Sequence, residues 1–198
     1  MWTSRVSLTG YVLVLERECW WARKPPHPLE MTLREIENAI KAELFYAAIM
    51  MSLALPGICA ALESKRLYSG GPEYKKWYRE HLAKTFPYMS DEVAYSLRCG
   101  VVHLGNLHLK AKGASETRAI FTLPNVQRTL IHNSSMRGTA EGDMVQFDAA
   151  MFCHDIIAVV RTWCERKADD PVIQANLPSL LQVRPNGFGP ILGLPVIA

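Results

Sequence analysis

The run Tyr95-Ser96-Leu97-Arg98-Cys99-Gly100-Val101-Val102-His103 places an arginine and a histidine five positions apart. Ser90-Asp91-Glu92 precedes it and offers a helix cap followed by early acids. A helix is predicted from about Asp91 to Leu107. An arginine holds phosphate through charge-assisted, often bidentate hydrogen bonds. A histidine takes or gives a proton near neutral pH. Together they suit cleavage of RNA, with the imidazole acting on the 2′-hydroxyl or the leaving oxygen. The guanidinium would then stabilise charge on the phosphate. Five steps along an ideal helix leave the two side chains roughly 140° apart. Either Gly100 loosens the turn, or two helices from two chains share one groove, which implies a symmetric dimer with a composite site. The plainer alternative is a surface charge beside a satisfied histidine.

Upstream, Leu33, Ile36, Ile40, Leu44, Ala48, Met51 and Leu55 recur at steps of three and four. This spacing predicts one long amphipathic helix. Thr32 and Glu35 form a capping-box pattern at its start, and Pro56-Gly57 ends or kinks it. A second helix over about Glu73 to Lys84 has Tyr74, Trp77, Tyr78 and Leu82 as its apolar face, with Phe86-Pro87 as its stop.

Downstream, Arg118 to Leu123 alternates like a strand, and Val126 to His132 gives a second strand-like run. They read as an inserted β-hairpin, within an insertion of about residues 117–147. Arg137 to Asp143 reads as a loop and Met144 to Phe147 as a short third strand. The last clear helix is Asp148 to Lys167. Phe152, Ile156, Val159 and Trp163 line one side, and Met151, Ile157 and Ala158 widen the arc, which predicts a central place in the bundle.

The ends differ from the middle. Residues 1–30 hold Trp2, Trp20, Trp21 and the stiff Lys24-Pro25-Pro26-His27-Pro28 break. They read as an extension ahead of a natural start at Met31, or as a strand over Val6 to Leu15 on a sheet edge. That apolar stretch lacks a small-x-small cleavage site, so it is not read as a leader. Residues 171–198 carry five prolines and one charge, Arg184. They predict an extended strap on the body of the domain, residues 31–170, or on a partner.

Of 198 residues, 49% are apolar and 21% charged, with a net charge of +3. That fits one folded domain with appendages. It permits a phosphate-bearing ligand without requiring one. The five cysteines are widely spaced with no C-x-x-C pair, which points to reduced thiols in a cytoplasm. No stretch reads as a membrane span.

Further candidates sit around the pair. Asn106, three residues after His103, lies on a neighbouring helical face, where it orients the imidazole or contacts ribose. Glu37 and Glu43 are polar groups on the first helix that would face the pair. Lys75, Lys76, Arg79 and Lys84, interleaved with Trp77 and Tyr78, make a basic face compatible with RNA. Its alternative is a solvated face. Cys99, His103 and His108, with Cys153-His154-Asp155 elsewhere, do not complete a four-ligand zinc set, so no metal or other cofactor is assigned. His132 and Asn133 read as strand-end polar groups or as a reach toward a ligand.

The segment from Tyr95 to His103, followed by Leu104-Gly105-Asn106, resembles the Arg-x(4–6)-His signature of the HEPN superfamily. The resemblance covers about residues 32–112 and 147–167. It implies a mainly α fold, a HEPN-like helical bundle with the β-hairpin as an insertion, usually dimeric. It also implies a metal-independent ribonuclease of a toxin or defence system, with Arg98 and His103 as the catalytic pair. RNA is then the substrate, and an antitoxin protein and a second copy of the chain are the partners. The alternative within the family is a non-catalytic module binding nucleotide, RNA or protein. Asn106, Lys76 and Arg79 are the candidate RNA-binding residues. Active members commonly carry Asn, Asp or His directly after the arginine, where this chain has Cys99.

Overall fold

The computed structural model describes residues 28–109, 117–124, 131–140 and 142–198. The readings of residues 1–27 lie outside these, as does most of the strand expected over Val126 to His132. The fold is mainly α. The body, Pro28–Leu180, carries α1 (Pro28–Lys41), α2 (Phe45–Glu63), α3 (Gly71–His81), α4 (Asp91–Cys99), α5 (Ala149–Arg166) and α6 (Pro171–Asn176).

The single long first helix is two helices. α1 begins at Pro28, upstream of the expected cap, so Thr32 and Glu35 lie inside it. α1 ends where Glu43 takes a left-handed φ of 59° and the Leu44 N–H returns to the Ala39 carbonyl over 2.8 Å. This 6→1 wrap satisfies the last carbonyls. α2 then runs straight through Pro56-Gly57. The proline removes one backbone hydrogen bond, but Leu53, Leu55, Pro56, Cys59 and Leu62 around it are buried, and packing holds the helix.

α2, rather than α5, is the central element, since it packs on α1, α3, α4, α5 and α6. By length and composition it is also long and apolar enough to cross a membrane. This differs from the expectation of no such stretch. The core joins α2 to Trp77 and Tyr78 of α3, Leu97 of α4, and Phe152, Ile156 and Trp163 of α5. Tyr74, Trp77, Tyr78 and Leu82 are buried as expected. On α5, Phe152, Ile156, Ile157 and Trp163 are buried as expected, Val160 joins them, and Ala158 is exposed. Truncating Leu53 or Phe152 to alanine costs about 2–5 kcal/mol.

Caps set the other helices. Ser90 Oγ accepts from the Val93 N–H at the start of α4, and Asp148 does the same for Met151 at the start of α5. Asp170 caps α6 through the Val172 and Ile173 N–H groups. α6 and the short 3₁₀ turn Leu177–Ser179 bury Ile173 and Leu177. The first part of the expected strap is therefore helical and belongs to the body.

Among the described residues the insertion carries a small mixed sheet, and the second strand of the expected hairpin lies mostly outside them. β1 (His108–Leu109), β2 (Thr117–Thr122), β3 (Ser134–Thr139) and β4 (Gly142–Asp148) lie in the order β1-β2-β4-β3. β2 runs parallel to β4, with Phe121 opposite Phe147. β3 pairs antiparallel with β4, so within the expected loop from Arg137 to Asp143 residues 137–139 and 142–143 are strand. Phe121, Phe147, Phe152 and Phe86 form one aromatic cluster that seats the sheet on α5 and on the α3–α4 connection. Residues 181–198 form a separate unit with two antiparallel pairs, β5–β8 (Val183–Arg184 with Val196–Ile197) and β6–β7 (Gly187–Phe188 with Ile191–Leu192).

Candidate active site

α4 does not continue to Leu107. At Gly100 it widens into a π-helical turn, Gly100–Leu104, and Gly105 ends it with a left-handed φ of 63°. Bonding from i to i+5 inserts one residue per turn relative to the α-helix. A residue five positions on therefore falls one turn away on the same face. Arg98 and His103, separated by that spacing, meet: Arg98 Nη1 lies 2.7 Å from His103 Nε2. A guanidinium has donors only, so Nε2 accepts and the imidazole proton sits on Nδ1. The first of the two sequence alternatives, a loosened turn, brings the pair together within one chain.

Gly100 is required by space rather than by φ. A Cβ there would stand 2.8 Å from the Asn106 carbonyl oxygen and 3.1 Å from its Oδ1. Asn106 folds back over the turn, and its N–H donates to the Gly100 carbonyl over 3.1 Å. It is thus off the helix, not on the neighbouring face expected for it. Its Oδ1 is buried with no hydrogen-bond partner.

His103 is exposed and Arg98 half-buried. Among the described residues, no ion pair holds Arg98; its other polar neighbour is the Cys99 thiol, 4.0 Å from Nη1. Two tyrosines lie close. Burial pushes the Tyr74 phenol up, with the Arg98 charge acting against it. Burial and then the Cys99 thiol push Tyr95 up, with Arg98 and Lys75 opposing. A third tyrosine, Tyr46 of α2, donates its hydroxyl to the Val101 carbonyl over 3.4 Å. Sequence reasoning missed it, because nothing local links it to a turn 55 residues away.

The other candidates fall elsewhere. Lys76 pairs with Glu80 at 3.9 Å along α3, and Arg79 pairs with Asp91. Both basic residues are exposed, each with an acid beside it. Lys75 instead sits 2.7 Å from Glu92 and 5.8 Å from the Tyr95 ring centre. Glu37 pairs with Arg161 at 2.8 Å, and Glu43 lies in the α1–α2 turn. His132 is bound at 3.0 Å to Asp155, and its Nδ1 accepts from the Asp148 N–H. Asn133 donates to the Thr85 carbonyl over 2.6 Å. These two residues tie the insertion to the bundle. Among the described residues, no group of three His, Cys, Asp or Glu side chains is placed to hold a metal.

No family model, no curated protein and no solved structure matches this chain.

Proposed function

We propose that this protein is a HEPN-like, metal-independent endoribonuclease of a toxin or defence system, with Arg98 and His103 as its catalytic pair. One observation carries the reading: an exposed imidazole stands 2.7 Å from a guanidinium that no carboxylate neutralises among the described residues. A phosphate entering this site competes for the guanidinium and releases Nε2. His103 Nε2 takes the 2′-hydroxyl proton as the 2′-oxygen bonds to phosphorus. The P–O5′ bond breaks and the leaving oxygen takes a proton from solvent. Arg98 stabilises the charge on the phosphoryl oxygens. The products are a 2′,3′-cyclic phosphate and a 5′-hydroxyl, and no step requires a metal ion.

In this reading the protein acts in a reducing cytoplasm, as a homodimer restrained by an antitoxin protein. The packed face of α2 supports its role as a core helix. Expression of the wild type is expected to slow growth and fragment RNA, and Arg98→Ala or His103→Ala to abolish both with helicity intact. Unchanged toxicity in both variants overturns the reading.

Cys99 favours a second reading, a non-catalytic module that binds nucleotide or RNA. Its thiol occupies the place where active HEPN members commonly carry a polar residue, and it lies 4.0 Å from the guanidinium. Wild-type protein that binds RNA without cutting it, and gains cleavage on Cys99→Asn, supports this second reading.

A further inference from the structure

Tyr46 stands near the start of α2 with 59% of its surface exposed, yet it is fixed at both ends. Its backbone belongs to a helix, and its hydroxyl donates to Val101, inside the turn that carries His103. The Cβ position of Gly105, at the end of that turn, lies 3.6 Å from the same hydroxyl. The ring thus bridges α2 and the turn while remaining open to solvent.

The neighbouring aromatics are already occupied. Tyr74 is buried, with its hydroxyl on the Leu53 carbonyl. Tyr95 packs on Tyr74 at 5.4 Å and beneath Lys75. Among the described residues, no ring and no cation covers Tyr46. Leu104, which precedes Gly105, is 72% exposed and extends the apolar surface along the turn. An open aromatic ring bonded to the turn that carries His103, whose imidazole meets the Arg98 guanidinium, offers the two halves of a nucleotide a flat face for the base and a cation for the phosphate.

We propose that Tyr46 is the platform on which a nucleobase of single-stranded RNA stacks while the adjoining phosphate meets Arg98 and His103. The proposal rests on the nuclease reading for the position of the phosphate. Its hydroxyl is engaged, so Tyr46 offers a π-face without edge readout, and the selection is for unpaired bases of any identity. In a duplex the bases are stacked on one another and cannot reach it.

The test is fluorescence anisotropy with a labelled single-stranded oligoribonucleotide, 2′-O-methylated throughout so that it cannot be cut. Tyr46→Leu is expected to weaken binding about tenfold, within the range for one stacked base. Tyr46→Trp is expected to retain binding. A fully paired duplex of the same length is expected to show no Tyr46→Leu effect. Circular dichroism melts check that the variants fold. Equal binding by Tyr46→Leu and wild type, an equal loss on duplex, or no binding by wild type overturns the proposal. The outcomes separate from the nuclease reading: if His103→Ala still cuts natural RNA, the nuclease reading fails while base stacking is decided by the uncut oligonucleotide.

Discussion

Arg98 and His103 touch because the chain widens between them. The 2.7 Å contact spans a π-helical turn that begins at Gly100, and in a regular helix the same residues would point roughly 140° apart. Gly100 is the only residue type that leaves room for the Asn106 backbone to close that turn.

Gly100→Ala therefore displaces Asn106 or forces the turn back toward α-helical winding. The expected cost is about 1–3 kcal/mol from overpacking, or about 2–4 °C of Tm for each kcal/mol in a chain of this size. RNA cleavage is expected to fall further than stability, because the pair separates. Calorimetry alongside a cleavage assay checks both.

Arg98→Lys keeps the positive charge and loses the planar fork. Cleavage is expected to fall by about 10²-fold, comparable to loss of one oxyanion donor, with little change in Tm. Steady-state kinetics on a single-stranded RNA measure this. Activity is expected to persist after exhaustive treatment with EDTA, since His103 and Arg98 supply the proton transfer and the charge stabilisation.

Glu30 accepts from Arg161 and Arg34 in a cluster that ties α1 to α5. Burial raises its carboxyl, but the Arg161 and Arg34 bonds and charges outweigh burial and hold it below the ordinary value of 4.5. A depressed carboxylate contributes stability that is present above its unfolded pKa and lost as pH falls through the folded one. Urea midpoints are expected to drop as pH falls below 4.5, and Arg161→Ala to flatten that limb. The pair is partly exposed, so the effect is about 1 kcal/mol or less.

Thiol chemistry gives an independent check on the core. Cys59 is fully buried and its thiol is raised well above the ordinary value by burial. Burial pushes Cys153 and Cys164 up to about 11. Among the four described cysteines, native alkylation is expected to mark Cys99 first, with Cys59 and Cys153 protected until unfolding. Mass spectrometry after timed iodoacetamide exposure reads the order.

Local chemistry made much of this molecule legible in sequence. Ser90 and Asp148 cap α4 and α5 because side-chain acceptors at helix starts act over a few residues. The Arg98–Gly100–His103 spacing already contained the argument for a loosened turn. Pro56 misled because its cost is local whereas its compensation, burial on α2, is tertiary. The strands at Arg118 to Leu123 and Met144 to Phe147 were legible as alternation, but their parallel pairing, across a long connection, was not. The basic face of α3 was visible as charge, but the pairing of Lys75 with Glu92 and Arg79 with Asp91 depends on how α3 packs on α4. Tyr46 was invisible because only the packing of α2 brings it to Val101.

The central claim is that Arg98 and His103, joined across the turn, cut RNA. Single-turnover cleavage of an end-labelled single-stranded RNA by purified wild type, Arg98→Ala and His103→Ala tests it most directly. The expected result is 2′,3′-cyclic phosphate ends from the wild type and rates lower by about 10²-fold or more in each variant. Wild-type rates in both variants, with native circular dichroism, would contradict it.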